Sequence, residues 1–176
     1  MRRLVYSVAA SLDGFIAGPI GELDWIVHDP AIDFAAIYGQ FDTFLMGRLT
    51  YELAQSQKPM LKKMGIRIVV ASTTLDPALH EDVTILSSGV AEAVAALKAE
   101  AGKDIWLFGG GVLFRSLLDA GLVDSVELTV IPVMLGSGIP LLPEGARVGL
   151  KLNQSKALPS GVLMLKYSVA GVPSSG

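Results

Sequence analysis

The sequence predicts an α/β fold: a mixed, mostly parallel central sheet flanked by helices, with a C-terminal antiparallel β-hairpin. Three observations carry this expectation. Short apolar, strand-like runs alternate with helix-like segments from Arg3 to Ala120, the pattern that builds a parallel sheet covered on its faces. After Asp124 the chain turns to strand-like alternation, and Pro159-Ser160-Gly161 separates two runs as a hairpin turn does. The 176 residues are 51% apolar, enough for a full core, since a chain of about 150 residues buries roughly 70% of its unfolded surface. One domain is expected over residues 1–170, with residues 171–176 as a flexible tail.

Each element follows from local chemistry. Residues 3–10 form an almost continuous apolar run that fits a buried central strand. Residues 11–24 are glycine-rich and hold Pro19, so they read as a loop with little regular structure. Asp29-Pro30 opens a helix-like segment to about Gly39, because proline is tolerated where a first-turn N–H is unpaired. A short strand at 43–46 passes through Gly47 into a helix. Strands are expected at 66–71 and 83–86, and a helix at 90–101, where Val90, Ala93, Val94 and Leu97 keep helical spacing. A strand at 105–108 runs through three glycines into a helix at 112–120, stopped by Gly121. Residues 126–130 alternate until Pro132, 136–143 form a loop, and 148–158 and 162–169 form the hairpin.

Composition excludes several classes. The net charge is −3 with no clustered basic surface, which argues against nucleic acid. Cysteine is absent, so disulfide and thiolate chemistry are out. No stretch of about 18 apolar residues exists, so no membrane span is expected. Arg2-Arg3 before a short apolar run suits a signal peptide, yet the run reads better as a first core strand, and a cytoplasmic location is expected. His28 and His80 are far apart and not at ligand spacing, so no metal is expected. Gly-x-Ser-x-Gly is absent. Charged residues make up only 18%, against about 25% in typical domains; a homodimer would cover some of the apolar surface.

Ligands of open α/β sheets bind outside the carboxyl ends of the strands, and three such ends carry special residues. Gly109, Gly110 and Gly111 precede a helix whose N-terminal N–H groups favour anions; a tight strand–helix turn explains them equally. Arg48 and Thr50 follow Gly47 and offer a guanidinium fork and a hydroxyl, or else a surface arginine and a cap. Ser72 and Thr73 suit a ribose or its phosphate, or an ordinary turn. Together the three point to an elongated, phosphate-rich cofactor, which suits a chain so poor in catalytic side chains.

Five segments in order resemble the dihydrofolate-reductase-like superfamily, and most of all the reductase domain of bacterial riboflavin-biosynthesis deaminase/reductase proteins. Residues 45–52 (LMGRLTYE) are similar to MGRxT[WY]E, and residues 11–17 (SLDGFIA) to SxDGxIA. Residues 70–74 (VASTT) resemble the strand end at the adenosine, 108–111 (FGGG) the turn at the pyrophosphate, and 135–142 (LGSGIPLL) the LGxGxPLF segment. The resemblance spans about residues 5–169 and implies an NADPH-dependent oxidoreductase acting on a small aminopyrimidine or pterin-like substrate. It implies Ala9, Ser11 and Ile16 near the nicotinamide, Gly47, Arg48, Leu49 and Thr50 at the phosphates, and Ser72 and Thr73 toward the 2′-phosphate and adenosine. Gly109, Gly110, Gly111, Val112 and Leu113 would cradle the pyrophosphate. Asp33, with Asp29 as second choice, would be the catalytic carboxylate; the alternative for Asp33 is a solvated helix charge. Trp25, Phe34, Gly136, Gly138, Pro140 and Leu141 would form the substrate side, unless the two aromatics are ordinary core. Leu142 stands where the riboflavin branch often has Phe, and no deaminase zinc motif is present.

Overall fold

The computed structural model describes residues 1–170; the expected tail at 171–176 lies outside the described residues. The chain begins with β1 (Leu4–Ser11) and a short β2 (Phe15–Ala17), then α1 (Phe34–Tyr38), β3 (Phe41–Gly47), α2 (Arg48–Leu53) and α3 (Lys58–Lys63). It continues with β4 (Arg67–Ala71), β5 (Thr84–Leu86), α4 (Val90–Ala99), β6 (Asp104–Gly109) and α5 (Gly111–Asp119). It ends with β7 (Ser125–Ile131), β8 (Ile139–Pro140), β9 (Leu150–Ala157) and β10 (Leu163–Val169). Eight strands form one sheet in the order β5-β4-β3-β6-β1-β7-β10-β9. It is parallel from β5 to β7, and β10 and β9 add on antiparallel.

Two apolar layers clamp the sheet because alternate strand residues face opposite ways. Leu4, Tyr6, Leu45, Val69, Ile105 and Leu107 meet Val94 and Leu97 of α4 and Phe114, Leu117 and Leu118 of α5. Val5, Phe44, Met46, Val70 and Trp106 meet Tyr51 of α2, Ala54 just after it and Leu61 of α3. A third, smaller cluster joins Ile131, Leu158 and Val162 to Ala9, Trp25, Ile32 and Met164.

Three sequence expectations need correction, and one segment adds detail. The helix expected from Asp29 starts only at Phe34. The Asp29 carboxylate accepts the Ala31 N–H at 2.7 Å and the Asp29 carbonyl accepts the Ile32 N–H at 3.1 Å, closing a turn. The loops at 11–24 and 136–143 are not wholly irregular, because β2 and β8 pair with each other antiparallel. The helix expected after Gly47 is present as α2, and a 3-10 turn at Ala54–Gln57 and α3 follow it, with Pro59 in the first turn of α3 and Leu61 buried. The helix expected at 90–101 stops at Ala99.

Candidate active site

The topology makes one crevice. The connection leaving β3 runs toward β4 and carries α2 and α3 on one face, while the connection leaving β6 runs toward β7 and carries α5 on the other. Adjacent strands whose exits diverge leave a gap outside their carboxyl ends. Here β3 and β6 are those strands, and the register sets Met46 beside both Val70 and Gly109, and Gly47 beside Ala71. Both helices that open on the gap begin at a glycine without a side-chain cap, Gly47 for α2 and Gly110 for α5. Their first N–H groups therefore have no partner within the helix.

Thr50 lies against the glycine turn. A Cβ placed on Gly109 would stand 3.3 Å from the Thr50 Oγ1, and one on Gly110 3.6 Å from it. A Cβ on Gly47 would enter open space. Next along the sheet edge, a cleft of about 420 Å³ is lined by Arg48, Ala71, Ser72, Thr73, Thr74, Leu86, Ser87 and Val90. Arg48, Ser72 and Thr73 thus meet in one place. Ser72 is buried, and its hydroxyl accepts the Thr74 and Leu75 N–H groups at 3.2 and 3.1 Å, so it shapes the turn. Thr73 is exposed. The Arg48 guanidinium holds Glu52 at 2.8 Å, one turn along α2, and keeps N–H groups to spare. Leu49 and Val112 point largely to solvent, whereas Leu113 packs on the α5 core.

On the other side of β6 the ladder with β1 stops at Tyr6–Leu107, while β1 and β7 stay paired to Ser11–Ile131. The Arg3 carbonyl accepts the Ile105 N–H at 2.8 Å, and the Ser7 carbonyl accepts the Trp106 indole N–H at 2.8 Å. Backbone groups alternate sides along a strand. The half-buried Ala9 therefore turns its N–H and C=O toward the gap beside β6.

A loop pair roofs this end. The Ser11 hydroxyl donates to Asp13 at 2.7 Å and accepts the Phe15 N–H at 3.0 Å, so it builds the loop. Asp13 also accepts the Leu135 and Gly136 N–H groups at 3.0 and 2.7 Å. Ser11 first, then Gly136 and Leu135, hold its carboxyl down at about 2. Ile16 sits in β2, beside the β8 strand that holds Pro140. Gly138 has no room for a side chain, since a Cβ there would lie 2.3 Å from the Ala17 carbonyl. A Cβ on Gly111 would lie 3.1 Å from the Pro140 carbonyl, and Leu141 packs on the α5 core. The glycine loop, the glycine turn and the first loop are therefore one assembly.

The two carboxylates considered for catalysis are engaged elsewhere. Asp33 is exposed and caps α1, accepting the Ala36 N–H at 2.9 Å. Asp29 is only 6% exposed; the Ser160 hydroxyl, then the Ala31 N–H, lower its pKa. It lines a second cleft of about 480 Å³ with His28, Pro132 and Pro159. Trp25 packs in the third cluster, and Phe34 lies 44% exposed against His28. Sequence reasoning missed the structural parts played by Ser11 and Asp29, while the turn it offered as the alternative for Ser72 is what forms. Hydroxyl and carboxylate side chains two to four residues from an N–H they could accept were the available signal.

A doubly covered sheet with this strand order, two uncapped helix starts at its switch point and an antiparallel C-terminal pair defines the dihydrofolate-reductase-like fold. The chain belongs to the RibD C-terminal domain family, whose model matches residues 2–164. It is 32% identical to the uncharacterized protein YyaP of Bacillus subtilis, over 94% of each chain. It is similar to the crystal structure of a putative riboflavin biosynthesis protein from Shewanella sp. PV-4, at 25% identity and a TM-score of 0.76, covering 96% of this chain and 99% of that one. The fold is shared with dihydrofolate reductase from Enterococcus faecalis complexed with NADP(H), at 19% identity and a TM-score of 0.67, covering 96% of both chains.

Proposed function

We propose that the protein is an NADPH-dependent reductase of the riboflavin-biosynthesis type, similar to 5-amino-6-(5-phosphoribosylamino)uracil reductase. The observation that carries this reading is the meeting of Arg48, Ser72 and Thr73 in one cleft at the uncapped start of α2, with the uncapped start of α5 at the end of the neighbouring strand β6. Family membership supports it.

The residues present fit such a cofactor. The Arg48–Thr73 cleft suits the 2′-phosphate and adenosine end, with the Ser72 hydroxyl shaping its wall. The N–H groups after Gly47 and those of Gly111, Val112 and Leu113 suit the pyrophosphate, where helix N-termini favour negative charge. Glycine at 47, 109 and 110 lets backbone approach the phosphates closely. Ala9 offers one donor and one acceptor side by side, the complement of a primary carboxamide such as that of nicotinamide. When bound, the dinucleotide supplies a hydride. The chain orients the reactants, and the roof of residues 11–17 and 135–141 keeps water out. Asp33 serves as the catalytic carboxylate only if substrate binding displaces its hold on Ala36; its exposed place at the α1 cap favours a structural part.

A pterin-type reductase on the same fold is the second reading, favoured by the likeness to dihydrofolate reductase. A non-catalytic NADP(H)-binding dimer is the third. Fluorescence titration with NADPH and NADH tests the cofactor assignment. Tight NADPH binding is expected, with Arg48→Ala erasing most of the preference over NADH; equal binding of both by the wild type overturns it. Turnover of the aminouracil phosphate against dihydrofolate then separates the first two readings.

We further propose a homodimer. Leu128, Val130, Leu163, Leu165, Leu150 and Leu152 share one face of β7, β10 and β9 by register, and all are half-buried or exposed. A second copy covers such a face most simply, because a two-fold contact matches the same patch to itself.

A further inference from the structure

Reducing a C=O or C=N group takes a proton at the heteroatom as well as a hydride at carbon. The three loop carboxylates described above are committed: Asp13 to Ser11 and two loop N–H groups, Asp29 to Ser160 and Ala31, Asp33 to the Ala36 N–H. The sheet itself offers another group. Lateral register aligns Ser7, Glu127 and Lys166 across β1, β7 and β10, and the next row on that face is Ala9, Thr129 and Met164. Directly opposed residues share a face, so Glu127 and Lys166 look out on the side where Ala9 does. Their Cα atoms follow strand spacing, which puts that of Lys166 ~12 Å from that of Ala9. A lysine side chain and one substrate ring bridge such a gap.

The pair is built for this place. The Lys166 Nζ lies 3.1 and 3.0 Å from the two Glu127 oxygens. The Glu127 side chain is 14% exposed and that of Lys166 36%, so the carboxylate sits in the floor and the ammonium reaches out. Arg3, just before β1, is paired with Asp104 and adds a second positive charge toward Glu127. Trp106 is tied to Ser7 of this row by its indole N–H, and Trp25 and Met164 pack in the same cluster as Ala9.

We propose that Lys166, positioned by Glu127, touches the substrate and donates the proton that completes its reduction; this rests on the reductase reading above. The substrate carbon gains a hydride from the reduced nicotinamide dinucleotide, forming a C–H bond. The C=O or C=N π bond breaks, and its electron pair takes the proton released from the Lys166 Nζ. The dinucleotide leaves oxidised, and the lysine amine regains a proton from water.

The test compares Lys166→Gln and Lys166→Arg with the wild type. Arginine keeps the charge and a partner for Glu127, but a guanidinium does not release its proton in a protein. Both variants are expected to bind NADPH like the wild type in a fluorescence titration. Both should lose turnover of 5-amino-6-(5-phosphoribosylamino)uracil by about 100-fold or more. In wild-type protein saturated with NADP+, the 15Nζ resonance of Lys166 should move when this aminouracil is added. Full turnover by Lys166→Arg, or a resonance that stays in place, overturns the assignment. A wild type that binds no NADPH overturns the reductase reading itself, and a wild type that binds NADPH yet leaves this aminouracil unreduced overturns the acid assigned for it.

Discussion

Asp13 shows how one side chain can hold two distant loops. It stands two residues after β1 and collects N–H groups from residues 135 and 136. Its carboxyl titrates near 2, below the ordinary value of 3.8. A folded-state pKa below the unfolded one means that the stabilisation is present above the unfolded value. It is lost as pH falls through the folded one. Stability should therefore decline between about pH 4 and pH 2 on this account. Asp13→Asn should melt at a lower temperature at neutral pH and lose that part of the acid dependence. Thermal melts at stepped pH check both; parallel melting curves for the two proteins would remove Asp13 as the tie.

At the scale of elements, α5 is the hinge between core and site. Phe114 stacks on Tyr6 with ring centroids 3.7 Å apart and is buried. Burial in that layer pushes the Tyr6 phenol well above its usual range. Phe114→Ala should cost about 3–5 kcal/mol by urea unfolding, through lost burial and the cavity left behind. Because Gly110 and Gly111 start the same helix, it should also weaken NADPH binding. Much of this was legible in the sequence, because glycine junctions such as 109–111 and apolar runs such as 3–10 are local patterns. The over-long first helix came from Asp29-Pro30, a pair that opens turns as readily as helices. The row of Ser7, Glu127 and Lys166 was not legible, since it depends on the register of three strands more than 150 residues apart at its ends. Nor was the Asp13 tie, whose partners are backbone groups 122 and 123 residues away.

For the whole molecule, the uneven cover of the sheet decides how it meets others. Helices pack on the strands from β4 to β1, while the eight residues of β9 are all exposed. Leu150→Glu with Leu152→Glu should convert a dimer to monomers in light scattering without altering the fold by circular dichroism; a wild type of monomeric mass would dismiss the dimer. The strand order has a further consequence, for how the protein is made. β1 leaves the ribosome before β6 and β7, yet it lies between them, and its partners Ile105 and Ser125 come 101 and 120 residues after Leu4 and Val5. At about 5–20 residues per second, its apolar edges wait roughly 6–24 s for both neighbours. During synthesis this segment is the one a chaperone must shelter, and a chain cut short before β6 cannot complete its own middle.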